Sequence, residues 1–134
     1  MNASEWPKVR LDDFGVLHID YGDNEEITLE DLDLAYERHM AISPMKHPVL
    51  TTGRGLGKVS AEVQRRVSEP KICAVVGASA MVVQSAWQMH LGRIFMLLYR
   101  PPYPTRLFTS EHDAIEWLKQ YLPPVPLDSG VGDR

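Results

Sequence analysis

The stretch at residues 71–99, KICAVVGASAMVVQSAWQMHLGRIFMLLY, constrains the fold more than any other part of the chain. Residues 72–76 form a short apolar and largely β-branched run, which predicts a strand covered on both faces, as in a parallel sheet. The small residues at 77–79 predict a turn in which Ser79 caps the next helix. Apolar residues then recur at helical spacing through residues 80–99 and predict a long apolar helix. A buried strand followed by such a helix indicates an α/β domain.

Length and charge limit the class of protein. With 134 residues and 44% hydrophobic residues, the chain suits one domain with a substantial core. A net charge of -4 argues against a general nucleic-acid binder, because that role needs a basic surface. The single cysteine, Cys73, falls inside the predicted strand, so we expect no intramolecular disulfide and a cytoplasmic setting. No segment has the apolar run expected of a signal peptide or a membrane span.

Periodicity and turn signals predict the remaining elements. In chain order these are strands at 8–11 and 16–21, a helix from Thr28 that ends before Pro44, a strand at 48–51, a short helix at 60–67, a strand at 106–109 and a helix from Ser110 that ends before Pro123. This order favours an α/β fold with a mixed, mostly parallel sheet, an antiparallel first strand and about four helices. We predict one domain at residues 8–122, a flexible arm at 1–7 and a Pro-rich disordered tail at 123–134.

The segment RPPYPTRLFTSEHDAIEWLKQYL at residues 100–122 closely resembles the C-terminal end of the SpoIIAA-like, STAS/SEC14-type small bacterial proteins. The residues that carry the resemblance are Pro101, Pro102, Tyr103, Pro104, Thr105, Arg106, Leu107 and Phe108. The resemblance implies a STAS-like fold. Its better-known relatives are anti-sigma-factor antagonists, which bind a protein partner and are switched by phosphorylation of a serine at a helix start. Where the antagonists carry Asp-Ser-Ser-Gly-Leu, this chain has residues 51–56 with the sequence TTGRGL, so the switch serine does not transfer by position.

A glycine-rich loop between a predicted strand and a predicted helix is the main candidate site. Backbone N–H groups and a helix N-terminus at such a place can cradle an anion, although the loop departs from both the P-loop and the dinucleotide pattern. A plain connecting loop is the alternative. Ser60 suits a helix cap and is also a candidate phosphorylation site, with Thr51 and Thr52 as alternatives. The candidate residues for binding a partner or an anion are Thr51, Thr52, Gly53, Arg54, Gly55, Gly57, Lys58 and Ser60.

Other patterns offer little catalytic chemistry. The run at residues 77–80 resembles a nucleophile elbow with Ser79 at its centre, but neither downstream histidine, His90 or His112, has an evident route to that serine. We therefore expect Ser79 to be a cap and no residue to be catalytic. The histidines lack the paired spacing of a zinc site, so we expect no metal and no cofactor. The acidic residues at 12–26 indicate turns that bond their own backbone.

These patterns and the resemblance together predict a non-enzymatic regulatory or interaction domain. It would bind a protein partner through the loop at 51–60 and the helix at 60–67. The alternative is a nucleotide, a phosphate or a lipid-like small ligand at the glycine-rich loop, residues 53–58. The apolar helix at 80–99 predicts a homodimer, because a small fold leaves part of such a helix uncovered. We expect neither nucleic acid nor membrane as a partner.

Overall fold

The computed structural model describes residues 5–57 and 60–123, which form a five-stranded sheet with helices on both faces. The strands are β1 (Lys8–Leu11), β2 (Leu17–Asp20), β3 (His47–Thr52), β4 (Val76–Val82) and β5 (Thr105–Phe108). They lie side by side in chain order. Strand β1 pairs antiparallel with β2, and all later pairings are parallel. The predicted mixed, mostly parallel sheet with an antiparallel first strand is confirmed.

Helices connect the parallel strands and follow the last one. They are α1 (Leu29–Ile42), α2 (Ala61–Arg66), α3 (Pro70–Cys73), α4 (Ala86–Leu98) and α5 (Glu111–Leu118), with 3-10 turns at Arg54–Gly57 and Lys119–Tyr121. Local capping chemistry marks their starts. Thr28 and Asp31 form a capping box at α1, and the side chains of Ser60, Ser85 and Ser110 each accept a hydrogen bond from the backbone three residues later.

Two apolar layers cover the sheet. Helix α5 packs on one face, where Ala78 and Ala80 of β4 are fully buried with Ala114 and Leu118 of α5. The opposite face carries the helices α1, α2 and α4. Its buried residues come from α1, from α2 and from the segments that follow β2, β3 and β4: Tyr21, Ile27, Ala35, Leu56, Val63 and Val83. Side chains alternate along a strand, so Met81 of β4 belongs to this second layer. One face of the sheet is thus packed tightly against α5, and the opposite face is covered by α1, α2 and α4.

The stretch at residues 71–99 differs from its predicted structure. Strand β4 begins at Val76, so the strand predicted at 72–76 is displaced toward the C-terminus, and the turn predicted at 77–79 lies inside β4. Helix α4 begins at Ala86 rather than at residue 80. Ser79 caps no helix, because it lies in β4 and its N–H donates to the carbonyl of Pro104 at 2.8 Å.

Proline explains the first part of this displacement. Pro70 occupies the first turn of α3, where its missing N–H would be unpaired in any case and its fixed φ suits a helix. Cys73 therefore lies at the end of a short helix rather than in a strand, and its thiol donates to the carbonyl of Ser68 at 3.5 Å. The small residues that follow belong to a strand because α5 packs against them, leaving Ala78 and Ala80 fully buried.

Residues 5–7, the described part of the predicted arm, contact the domain. Pro7 is fully buried, and the guanidinium of Arg38 donates to its carbonyl at 2.6 Å. Trp6 lies against Gly22, which has a φ of +67°. Residues 124–134, most of the predicted tail, lie outside the described residues. Across 5–57 and 60–123, no helix combines the length and the apolarity needed to cross a bilayer.

Candidate binding cavity

A cavity of about 140 Å³ lies between the sheet and the helices α1, α2 and α4. Strand alternation builds its floor, because every second side chain of β2 to β5 points to this face. The lining side chains are mostly aliphatic or aromatic. They are Ile19, Tyr21, Ile27, Leu32, Ala35, Tyr36, His39, Val49, Thr51, Leu56, Val63, Gln64, Val67, Ile72, Val75, Val76, Ser79, Met81, Val83, Gly92, Phe95, Met96, Pro101, Tyr103, Thr105 and Leu107.

Size and charge define what this cavity can hold. Within the described chain, its lining contains no Asp, Glu, Lys or Arg. Small-molecule sites are typically apolar with a few placed polar groups, and this lining has that composition. An engineered apolar cavity of about 150 Å³ in another protein admits benzene. The space is therefore suited to a neutral molecule about the size of one aromatic ring.

His39 of α1 is the most unusual polar group in the lining. The residue is only 2% exposed, and its Nε2 atom has no hydrogen-bond partner among the described residues. The ring centroids of His39 and His47 are 6.0 Å apart. Burial lowers the pKa of His39, a backbone hydrogen bond with Met45 opposes this, and the nearby His47 lowers it further. His39 is therefore held in its neutral form near pH 7.

Tyr103 closes one side of the cavity. Its hydroxyl donates to the carbonyl of Val67 at 2.9 Å, and its own carbonyl accepts from the hydroxyl of Thr105 at 2.9 Å. Burial raises the pKa of Tyr103 and that of Tyr21, so both phenols stay protonated. The motif at residues 101–108 thus anchors the approach to β5 against the end of α2, and Pro101 contributes to the same wall.

The glycine-rich loop folds into the domain. Gly53 has a φ of +148°, and a Cβ there would lie 2.9 Å from the Cβ of Tyr21. A Cβ on Gly55 would lie 2.6 Å from the carbonyl oxygen of Asn24. Leu56 is 8% exposed and lines the cavity. These close contacts require glycine for reasons of packing, without reference to an anion.

The predicted binding residues do not form a single site. Thr51 lines the cavity, whereas Thr52 ends β3 and its carbonyl accepts from the N–H of Tyr21 at 2.9 Å. Arg54 is exposed, and it lines a separate surface depression of about 480 Å³ together with Glu25 and the first turn of α4. Ser60 caps α2, with its hydroxyl accepting from the N–H of Val63 at 3.2 Å. Lys58 lies outside the described residues.

Ser79 and His39 line the same cavity, although their positions in the sequence do not suggest it. Because Nε2 of His39 has no partner in the described chain, no hydrogen bond joins it to the serine. One signal for His39 is present in the sequence: it continues the helical spacing of Leu32, Ala35 and Tyr36 on the inner face of α1. What that spacing does not reveal is the unpaired nitrogen, which depends on packing across the fold.

The acidic turn before β2 has a structural role. Oδ1 of Asp12 accepts from the N–H groups of Phe14, Gly15 and Val16, and Oδ2 lies 2.8 Å from Nε2 of His18. This confirms, for Asp12, the prediction that the acidic residues bond their own backbone. Across 5–57 and 60–123, no group of three or more His, Cys, Asp or Glu side chains is placed to hold a metal ion.

Residues 10–122 match a sequence family described as Domain of unknown function (DUF7793). A solved structure from Shewanella loihica PV-4, an uncharacterised protein of the DUF3478 family with a SpoIIAA-like fold, is similar at 18% identity with a TM-score of 0.50. The match covers 84% of this chain and 91% of that one. This likeness confirms the predicted SpoIIAA-like fold. A protein of unknown function from Arthrobacter sp. FB24 is 27% identical over 83% of this chain and 97% of its own, with a TM-score of 0.30. No curated protein matches the sequence.

Proposed function

The chain belongs to the DUF7793 family, and we propose that it is a non-enzymatic STAS-like domain that binds a small, neutral, largely apolar molecule. The supporting observation is the cavity of about 140 Å³ between the sheet and the three helices on one face. Its lining combines aliphatic and aromatic walls with a few polar groups, as ligand sites do. A molecule in this space would contact α1, α2, α4 and the sheet together.

The lack of Asp, Glu, Lys and Arg in the described lining favours a neutral ligand over an anion. A phosphate or a carboxylate moved into an apolar space loses its hydration, and here no cationic side chain of the described lining would compensate. A lipid-like molecule with a single ring or a short chain fits the space better than a nucleotide. Binding of a phosphate or a nucleotide at residues 53–58 stays a prediction for the outer surface, where Arg54 is exposed beside Glu25.

Thermal unfolding with ring-sized ligands tests the proposal. Benzene, toluene and indole serve as probes, with inorganic phosphate as the charged comparison. A ligand that binds only the folded state stabilises it by RT ln(1 + [L]/Kd), about 2.7 kcal/mol at one hundred times Kd. We expect at least one apolar probe to raise the unfolding temperature, and phosphate to leave it unchanged at the same ionic strength.

A matched pair of variants locates the effect. Ala35→Leu adds three carbon atoms inside the cavity, whereas Ala41→Leu makes the same change on the exposed side of the same helix. We expect the ligand-induced stabilisation to disappear in the first variant and to persist in the second. The proposal would be contradicted if the ligand-induced stabilisation persists in Ala35→Leu, or if no apolar ligand stabilises the wild-type protein.

We propose as a second function that a protein partner binds through the loop at 51–60 and the helix at 60–67. One observation favours a link with the first proposal: Leu56, Val63 and Val67 belong to this region and also line the cavity. A ligand would therefore contact the inner side of the surface that the partner recognises. Arg54→Ala and Glu62→Ala change exposed residues of this region. We expect both variants to lose partners that co-purify with the wild type while still responding to the apolar probe.

A further inference from the structure

We propose that the ligand of this cavity carries one hydrogen-bond donor, a hydroxyl or an N–H group, which binds Nε2 of His39. This inference rests on the proposed function, since it names the chemical class of the ligand. The first observation is the state of the ring. His39 is 2% exposed and lines the cavity, and its Nε2 atom is buried without a partner among the described residues. Buried polar atoms are paired in the great majority of cases, so an exception in a residue of the cavity lining points to a missing partner.

The tautomer of His39 decides which partner is missing. A backbone interaction with Met45 favours the protonated ring, as a carbonyl that accepts from a ring N–H does. We assign that N–H to Nδ1, because Nε2 has no partner among the described residues. A neutral imidazole with its proton on Nδ1 has an acceptor lone pair on Nε2. The complementary ligand group is therefore a donor.

Two hydroxyls of the lining already donate to backbone carbonyls. The hydroxyl of Tyr103 donates to Val67, and that of Thr105 donates to the carbonyl of Tyr103. The rest of the lining is largely apolar, and its other polar side chains are those of Tyr21, Tyr36, Thr51, Gln64 and Ser79. A carboxylate lacks a donor, and an ammonium would enter without a counter-charge. The class that fits is a phenol, an indole or a short alcohol.

A comparison of two isosteric ligands in two proteins tests the inference. Phenol and toluene have nearly the same shape, and only phenol carries a donor. His39→Asn keeps an amide N–H that can reach the backbone of Met45 but removes Nε2. We expect the ratio of phenol to toluene affinity, measured by calorimetry, to be about five- to tenfold lower in His39→Asn than in the wild type. His112→Asn, the same change at an exposed residue, should leave the ratio unchanged.

A second measurement avoids the risk that His39→Asn fails to fold. In the wild-type protein labelled with ¹⁵N-histidine, phenol should shift the Nε2 resonance of His39, and toluene should shift it much less. An equal response to both ligands, or an affinity ratio that His39→Asn does not change, would overturn the inference and leave the cavity proposal standing. If neither ligand binds, this inference fails, and the cavity proposal fails with it when benzene and indole also leave the unfolding temperature unchanged. A ratio that drops in Ser79→Ala instead would assign the contact to that hydroxyl and overturn the role of His39.

Discussion

Gly55 lies so close to Asn24 that a Cβ at residue 55 would be 2.6 Å from the carbonyl oxygen of Asn24. The neighbouring backbone atoms of Glu25 and Glu26 would be at 2.9 Å. Backbone cannot move aside as easily as the end of a side chain. The glycine-rich loop is therefore held against the segment that precedes α1, and this contact fixes where Leu56 enters the cavity wall.

We predict that Gly55→Ala lowers the free energy of unfolding by about 1–3 kcal/mol, as overpacking in a filled site does. Gly77→Ala is the matched control, because its new Cβ would meet nothing closer than 3.5 Å. In strand β4, that change should be neutral or slightly stabilising, since alanine restricts the unfolded chain more than glycine. Urea denaturation of both variants measures the difference. Equal stabilities would show that the contact between Gly55 and Asn24 is unimportant.

Asp12 provides a second prediction, on pH. Burial alone would raise the pKa of Asp12, but the hydrogen bond with His18 and those from the N–H groups of Val16 and Phe14 lower it below the ordinary value of 3.8. A carboxylate with a lowered pKa stabilises the fold at pH values above 3.8, and this contribution is lost as the pH falls through the lowered pKa.

Asp12→Ala should therefore destabilise the protein by about 2 kcal/mol or more at pH 7, and the difference from the wild type should shrink toward pH 2. Asp13→Ala changes the adjacent residue, which is exposed, and should have little effect. Chemical denaturation at pH 7, 4 and 2.5 measures both. A loss in Asp12→Ala that is the same at all three pH values would rule out the carboxylate as its source.

Local signals in the sequence account for much of the fold, and long-range packing accounts for the rest. The caps at Thr28 and Ser110 and the hairpin of β1 and β2 depend on neighbouring residues, so pattern reading predicts them correctly. The start of α4 also has a local signal, since Ser85 and Gln88 fit the capping-box spacing. The strand assignment of the small residues at 77–80 depends instead on α5, which is distant in the chain.

The candidate site was less predictable for the same reason. The glycine-rich loop stands out in the sequence, but Gly53 and Gly55 are explained by contacts with Tyr21 and Asn24. Helical spacing places His39 on the inner face of α1, but its burial beside His47 is seen only in the folded structure. An unpaired nitrogen is a property of the packed fold, so no spacing rule could identify it.

His39 itself provides a third prediction. Burial, reinforced by the neighbouring His47, lowers its pKa despite the backbone bond with Met45. In the unfolded chain a histidine takes up a proton near pH 6.5, whereas the folded state resists it. Stability should therefore fall as the pH drops below about 6.5, down to the lowered pKa.

The contribution of His39 is separable from those of the other histidines. Unfolding free energies at pH 7.5 and pH 5.5 should differ less in His39→Asn than in the wild type. His112→Asn, at an exposed position in α5, should retain the wild-type difference. If His39→Asn and the wild type lose the same stability between these two pH values, His39 is not responsible for the pH dependence.

Replacing one alanine by leucine in each of the two layers that cover the sheet gives a fourth prediction. Ala35 on α1 is 2% exposed and borders the cavity, whereas Ala114 on α5 is 0% exposed and belongs to the opposite, filled layer. Ala35→Leu should leave the free energy of unfolding unchanged or raise it, because the new atoms enter empty space. Ala114→Leu should lower it by about 1–3 kcal/mol. Equal destabilisation in urea would show that the space beside Ala35 cannot accept three carbon atoms.

The outer side of α4 leads to the last prediction, self-association. Trp87, Leu97 and Leu98 are 66%, 75% and 67% exposed, and Ile94 between them is 42% exposed. Positions 87, 94 and 98 repeat at helical spacing along one stripe, which suits packing against a second helix. We propose that this stripe forms a homodimer, since a two-fold interface joins the same patch on both copies.

Light scattering should then give twice the monomer mass of 15.2 kDa at high protein concentration. The double variant Leu97→Lys and Leu98→Lys should be monomeric under the same conditions, because two desolvated charges would oppose the contact in each copy. Glu62→Lys makes the chain more positive at an exposed residue of α2, a different helix, and should remain dimeric. A wild-type protein that stays at the monomer mass would exclude the dimer and leave the apolar stripe of α4 for another partner.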